Sequence, residues 1–143
     1  KITKTKCDIL FLEGWCCGSS EIPKKILHKN INNLEKIKDP KYQWRNFYNN
    51  KLKLEYKKLF KLFDELIFLK TSSFDNVFKW RLKQEKTNQS KNNRSKRMTP
   101  NEIKFFIQHY EKITKWMLKD LNKKAQIVIK FEKNHKISSI NFN

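Results

Sequence analysis

Three short apolar runs, separated by long stretches with helical periodicity, constrain the fold of this chain most strongly. The runs are "DILFLE" (8–13), "ELIFLK" (65–70) and "QIVIKFE" (126–132). The first two are almost continuously apolar, which is typical of parallel strands covered on both faces. Because parallel strands need crossover connections and helical patterns lie between these runs, the sequence predicts an α/β fold: a parallel sheet with flanking helices.

Three helix starts can be read from the sequence. Asp39 followed by Pro40 predicts the first, since an acidic cap often precedes proline at the first helical position. The second is expected near Ser72 or Ser73. The third is the clearest, because "TPNE" (99–102) combines a threonine cap, a proline and a glutamate with the spacing of a capping box.

A polar, basic stretch, "TNQSKNNRSKR" (87–97), lies between the second and third predicted helices. Its composition predicts a loop. The stretch could be a plain solvated surface loop or a basic lid that closes over phosphates. Length and charge leave both interpretations open.

The charge balance is strongly positive, with 33 Lys and Arg against 14 Asp and Glu and a formal net charge of +19. A nucleic-acid-binding module is therefore one candidate function. However, nearly all of the positive charge is lysine scattered along the chain, and arginine occurs only at positions 45, 81, 94 and 97. Arginine is the residue suited to bidentate phosphate and base contacts, so we expect no specific nucleic-acid partner.

Cysteine and hydropathy patterns indicate a reduced compartment. Cys7, Cys16 and Cys17 are odd in number, two are adjacent, and none has metal-ligand spacing to a histidine. No apolar run approaches the roughly 18 residues of a membrane span. The sequence predicts a cytoplasmic protein without a membrane partner.

A phosphate-cradling loop of the form G-x-x-x-x-G-K-[ST] is absent. The chain has two glycines, Gly14 and Gly18, which are four apart and are followed by serine rather than lysine. The loop needs two glycines five apart and then lysine, because its backbone amides and the lysine together hold the phosphates.

Four blocks of the sequence nevertheless resemble a known family, the D-glycerate 3-kinases, which belong to the P-loop kinases similar to uridine kinase and phosphoribulokinase. The blocks are "DILFLEGWCCG" (8–18), "KYQWRNFYNNKL" (41–52), "LFDELIFLKTSSFDNVFKWRLKQE" (62–85) and "RMTPNEIKFFIQHYEKITKWM" (97–117). They occur in the family's order and spacing. The resemblance is to the C-terminal half of the family, downstream of its phosphate loop (Walker A).

The resemblance implies a P-loop kinase-like parallel sheet and ATP-dependent, Mg²⁺-assisted phosphorylation of D-glycerate at the 3-hydroxyl. Residues 1–143 would form the C-terminal part of a single kinase domain, with residues 87–98 as its basic lid. Because the phosphate loop is missing, we expect this fragment to be inactive alone. Its partners would be ATP, a small hydroxy acid and the missing N-terminal half.

The resemblance also assigns site residues. "DILFLE" resembles the Walker B strand, which would deliver Glu13 to the crevice at the strand's carboxyl end as a catalytic, Mg²⁺-side acid. Arg81, on the helix before the lid, would contact the transferring phosphates. The alternatives are a capping or salt-bridged Glu13 and a simple intrahelical pair between Arg81 and Glu85.

Five further residues are weaker candidates. Trp44 and Arg45 would bind the substrate, with core packing and a surface ion pair as the alternatives. Arg94 and Arg97, at the end of the lid, would contact the nucleotide phosphates. His135 follows the last predicted strand, where such kinases often hold adenine, although the sequence favours a plain turn there.

Overall fold

A computed structural model describes residues 6–91 and 98–143, excluding the side chains of 88–91. The elements, in chain order, are α1 (Lys24–Leu27), α2 (Asn33–Lys38), α3 (Gln43–Lys51), a π-helical turn (Leu52–Tyr56), α4 (Lys57–Phe60), β1 (Ile67–Thr71), α5 (Phe74–Lys91), α6 (Pro100–Lys124), β2 (Ile127–Phe131) and β3 (Ile137–Phe142). The α/β class predicted from the sequence is confirmed. No helix in the described ranges is long and apolar enough to cross a membrane.

The sheet has the order β1-β2-β3. β1 and β2 are the second and third predicted runs, and they pair in parallel through the α5–α6 crossover, as expected. β3 pairs with β2 in the antiparallel direction, so the sheet is mixed and the expectation of a wholly parallel sheet is wrong. The reason is local: a tight turn follows β2, in which His135 takes a left-handed conformation (φ 66°) and sends the chain back along β2.

The first predicted strand, residues 8–13, is not a strand. The segment has no regular secondary structure, and its four central apolar side chains, Ile9, Leu10, Phe11 and Leu12, are exposed. A strand exists only as a member of a ladder, because an isolated extended segment leaves its backbone groups to water. The described residues offer this segment no ladder partner.

Two of the three predicted helix starts are confirmed. α6 begins after Thr99, whose hydroxyl accepts from the Glu102 backbone N–H while the Glu102 carboxylate accepts from the Thr99 N–H, which completes the capping box. α5 begins at Phe74. α3 begins at Gln43 rather than beside Pro40, although the Asp39 carboxylate still accepts from the first-turn backbone N–H of Trp44.

The predicted lid overlaps the end of α5. This helix continues to Lys91, so residues 87–91 are helical and not part of a loop. The next part of the lid, residues 92–97, lies outside the described residues. Helix α5 therefore carries Arg81 on a long, regular support rather than on the helix end next to a lid.

The core lies between α6 and one face of the sheet. Ile113, Met117 and Leu121 of α6 pack against Phe68 of β1 and Val128 of β2. The α6 positions recur every four residues, which is the pattern that turns one face of a helix inward.

Candidate functional site

A cavity of about 490 Å³ opens at the carboxyl end of β1, where ligands bind in open α/β sheets. Thr71, the last residue of β1, lies on its wall. α5 contributes Trp80, Arg81 and Gln84. The remaining lining residues come from the 14–18 turn, β1, α5, α6 and the turn after β2: Trp15, Phe68, Leu69, Val77, Thr114, Met117, Leu118 and His135.

Two aromatic rings form one wall of this cavity. The indole of Trp80 stacks on the imidazole of His135, with ring centroids 4.4 Å apart and planes inclined by 28°. Trp80 Nε1 donates to the carbonyl of Lys133 at 3.0 Å, which ties the indole to the turn after β2. Because its polar atom is already engaged, Trp80 offers the cavity a flat apolar surface. His135 therefore lies in the turn after β2 with its ring packed on Trp80, and its contact with adenine stays a prediction.

Trp15 borders the cavity from the turn that follows residues 8–13. Its ring stacks on Tyr110 at 4.6 Å, and its Nε1 donates to Thr114 Oγ1 at 3.2 Å. The turn is closed by a hydrogen bond from the Cys17 N–H to the Gly14 carbonyl, and its left-handed residue is Gly18 (φ 79°) rather than Gly14. Through Trp15, the N-terminal segment is anchored to α6 and to the cavity.

Arg81 lines the cavity and forms the intrahelical pair with Glu85 that was considered as the alternative, while its contact with phosphates stays a prediction. Its guanidinium pairs with Glu85 one turn along α5, and Nη1 donates to Gln84 Oε1 at 3.4 Å. The guanidinium carbon also lies 6.0 Å from the centre of the Phe106 ring. This support holds the cation at the edge of the cavity with part of its surface open to a ligand.

The strand that was expected to present Glu13 does not form. Glu13 is exposed, two residues before cavity-lining Trp15, and is not itself on the cavity wall. Among the described residues, no group of three or more His, Cys, Asp or Glu side chains could hold a metal ion. A single carboxylate fits Mg²⁺ only as one ligand among waters and substrate phosphates, which is how this ion is often bound. The metal and catalytic roles of Glu13 remain predictions.

Arg45 lies in a buried ionic cluster away from the cavity. Its side chain is 0% exposed, and Nε donates to Asp39 Oδ2 at 2.8 Å while Nη1 lies 3.4 Å from Glu35 Oε2. Lys112 of α6 reaches the same Glu35 oxygen at 3.2 Å. The surface ion pair considered as an alternative is therefore the wrong picture, and the contacts favour a buried structural role over the predicted substrate contact.

Burial and the contacts within this cluster shift the pKa values of its members in opposite directions. Burial would raise the pKa of Asp39, but hydrogen bonds from the Arg45 side chain and from the backbone of Arg45 and Trp44 hold it below its ordinary value. Burial lowers the pKa of Lys112, and Glu35 only partly opposes that change. The cluster contains two acids and two bases, so its charges balance inside the protein.

Trp44, the other predicted substrate contact, is half-buried against α6. Its ring stacks on His109 with centroids 5.6 Å apart and tilts against Tyr48 at 6.4 Å. It does not line the cavity that holds Arg81 and His135. Arg94 and Arg97 lie outside the described residues, so their nucleotide contacts stay predictions.

The neighbouring cysteines are not poised as nucleophiles. Burial, with a contribution from Cys17, raises the pKa of Cys16 to about 11, and burial also raises the pKa of Cys17. A thiol with a raised pKa carries little thiolate at neutral pH.

Sequence reasoning missed the aromatic part of the site. Sequence reasoning assigns no site role to Trp15, Trp80 or Thr114. The available signal was position: Trp80 directly precedes Arg81, and Trp15 directly follows Gly14. That Trp80 faces His135, 55 residues along the chain, depends on the hairpin between β2 and β3.

Comparison with known proteins identifies the fold. No protein-family model and no curated protein sequence matches this chain. Among solved structures, the chain is similar to D-glycerate 3-kinase from Cryptococcus neoformans var. grubii, with a TM-score of 0.71, 20% identity and 99% of this chain covered. It is also similar to the YGR205w protein, with a TM-score of 0.56, 20% identity and 90% covered. The chain spans 52% and 45% of these two proteins. The resemblance noted from the sequence is thus confirmed, and the chain has the fold of part of a D-glycerate 3-kinase.

Proposed function

We propose that this chain is the C-terminal part of an ATP-dependent kinase that phosphorylates D-glycerate, or a closely related small hydroxy acid, at a hydroxyl group. The observation that carries the proposal is the juxtaposition of Arg81, Trp80 and His135 around one cavity at the carboxyl end of a parallel strand. The fold likeness to D-glycerate 3-kinase over 99% of the chain supports it.

Arg81 would bind the phosphates in this mechanism. Its guanidinium is delocalised and planar, and it can donate to two phosphate oxygens at once. Phosphoryl transfer spreads negative charge over the transferring oxygens, so a cation already held in place by Glu85 and Phe106 stabilises the transition state without further ordering.

The Trp80–His135 pair would hold the nucleobase. A base stacked on the indole lies on an apolar face, while the exposed His135 ring offers hydrogen-bonding nitrogens at its edge. Glu13 would lie near the Mg²⁺ side of the nucleotide, where the bound ion would neutralise phosphate charge. This chain's own phosphate contacts do not include a Walker A loop, so we expect no turnover from the chain alone.

The test is a chimeric polypeptide in which this chain replaces the matched half of the Cryptococcus neoformans enzyme. We expect ATP-dependent formation of phosphoglycerate with Mg²⁺ present. Arg81→Ala should lower kcat by about 10²- to 10³-fold, as loss of one transition-state donor does. Lys83→Ala, an exposed cation on the same helix that does not line the cavity, is the matched control. A folded chimera with no phosphoryl transfer, or equal activity in the two variants, contradicts the proposal.

The net charge of +19 keeps a nucleic-acid-binding module as the competing function. That function predicts affinity for duplex DNA or RNA that falls steeply and linearly on a logarithmic salt scale. The chain would be titrated with a labelled duplex at salt concentrations from about 50 mM to about 200 mM, the range over which this effect is large. A steep loss of affinity would favour the nucleic-acid-binding function over the kinase function. We expect only weak binding without sequence preference.

A further inference from the structure

A second cavity lies at the amino ends of β1 and β2, whereas the candidate functional site lies at the carboxyl end of β1. Leu66 directly precedes β1, Gln126 directly precedes β2, and both line the second cavity. The Leu66 backbone N–H donates to Gln126 Oε1 at 3.0 Å, which joins the two strand starts. The volume is about 670 Å³, a size usual for sites of small organic ligands. Among the described residues, the two cavities share no lining residue.

Aromatic side chains form much of the wall of this second cavity. Phe60, at the end of α4, and Phe63 lie with their ring centroids 5.5 Å apart and their planes inclined by 47°. Trp116 joins them from α6, and its Nε1 donates to Ser20 Oγ at 3.2 Å. Because its polar atom is already engaged, the indole offers the cavity apolar surface. The wall therefore suits a flat aromatic body.

Two exposed lysines line the same cavity side by side. Lys57 and Lys61 are four residues apart, and the Lys61 N–H donates to the Lys57 carbonyl at 3.2 Å, so their side chains share one helical face. Neither ammonium group has an ion pair or a hydrogen bond with another of the residues that the structure describes. Like charges at this spacing repel each other, and an anion bound between them would remove that repulsion.

The other charged groups at the second cavity do not cancel this lysine pair. Lys124 also lines it, but its Nζ donates to Asp120 Oδ2 at 2.9 Å, so these two charges are already matched. Within the described part of the chain, half-buried Glu21 is the only acidic residue on the wall. Two lysines therefore face one carboxylate, and the net positive charge favours an anionic ligand over a neutral or cationic one.

We propose that the second cavity binds a small aromatic molecule that carries a phosphate group. The aromatic body would lie against Phe60, Phe63 and Trp116, and the phosphate oxygens would accept hydrogen bonds from Lys57 and Lys61. A phosphate group carries up to about two negative charges near neutral pH, so it matches a pair of lysines better than a carboxylate does. The site is separate from the candidate functional site and does not depend on the proposed kinase activity.

The test is equilibrium binding of α-naphthyl phosphate to the whole chain, followed by the fluorescence anisotropy of the probe. We expect one molecule per chain with a Kd below about 1 mM, as a ligand of this size can reach. Calorimetric titrations with inorganic phosphate and with α-naphthol, which each keep one part of the probe, should give Kd values at least about tenfold higher, because each lacks either the aromatic or the ionic contact.

The double variant Lys57→Ala/Lys61→Ala should raise the Kd of the probe at least about fivefold, since it removes both cations from the wall. Lys53→Ala/Lys58→Ala is the matched control, because it removes two exposed lysines of the same segment that do not line the cavity. All four side chains are exposed, so both variants should keep the fold, which circular dichroism checks.

Arg81→Ala should leave the Kd of the probe unchanged, because Arg81 lines the other cavity. Loss of binding in Arg81→Ala would place the probe in the candidate functional site and overturn the proposal. Absence of binding, equal Kd values for the two double variants, or α-naphthol binding as tightly as its phosphate would overturn it too. Light scattering should show a monomer, and a dimer that Lys57→Ala/Lys61→Ala dissociates would assign the cavity to a second copy of the chain instead.

Discussion

Replacing Arg45 by methionine should destabilise the protein severely, because Arg45 is the centre of a buried ionic cluster. The guanidinium is wholly buried and donates to Asp39 Oδ2 at 2.8 Å, to the Asp39 carbonyl at 2.6 Å and to the Leu27 carbonyl at 3.2 Å. Methionine fills much of the same volume but supplies none of these donors. Among the described residues, Glu35 would then keep Lys112 as its cation, whereas Asp39 would lose the only ion-pair partner that it has.

The expected magnitude follows from the unpaired charge. Removing one partner of a buried ion pair costs about 3–5 kcal/mol, because the remaining charge keeps its desolvation penalty and loses its counterion. For a chain of this length, each kcal/mol lowers Tm by roughly 2–4 °C. Arg45→Met should therefore lower Tm by about 6–20 °C. Adding Asp39→Asn removes the excess negative charge, so the double variant should recover about 0.5–3 kcal/mol of that loss.

The assay is urea unfolding followed by tryptophan fluorescence, with the four variants of a double-mutant cycle. Tryptophan is a good reporter here because Trp44 lies next to Arg45 and stacks on α6 through His109. A loss smaller than about 1 kcal/mol, or no recovery with Asp39→Asn, would refute the buried-cluster reasoning. If Arg45 instead binds substrate, the variant would keep its stability and the chimeric kinase would show a raised KM.

Three further outcomes are expected. The pKa of Asp39 is lower in the folded protein than in the unfolded chain, so its contribution to stability is complete above about pH 3.9 and is lost as the pH falls through the folded pKa. The free energy of unfolding of Asp39→Asn should therefore fall less steeply than that of the wild type below about pH 4. Identical acid unfolding curves would contradict this prediction. Gly18→Ala should lower the free energy of unfolding by about 1–2 kcal/mol, because Gly18 is left-handed (φ 79°) and a Cβ there would lie 2.9 Å from Leu66 Cδ1. Gly14→Ala is the control, since its new Cβ would meet its nearest neighbour at an ordinary 3.8 Å. Equal urea midpoints for the two variants would contradict the prediction. Thr99→Ala should lose about 1 kcal/mol by removing the cap of α6 while Thr99→Ser keeps most of it, as thermal melts of the pair can show.

Part of the candidate site could be predicted from the sequence, and part of it could not. The family resemblance singled out Arg81 and His135, and both residues line one cavity, while their contacts with a nucleotide stay predictions. Arg45 was selected as a ligand contact, yet its partners Asp39 and Glu35 bury it in the protein. The sequence around Arg45 does not predict this burial, because Lys112, which completes the cluster, lies on a helix 67 positions away.

Local contacts made the start of α6 predictable, because its capping box needs only Thr99, Pro100 and Glu102. The pairing of β1 with β2 is long-range, but two apolar runs joined by helical patterns were enough to predict it. Tertiary structure decided the rest. Residues 8–13 have strand composition but no strand, because β structure needs a partner that lies elsewhere in space, and no described residue supplies one.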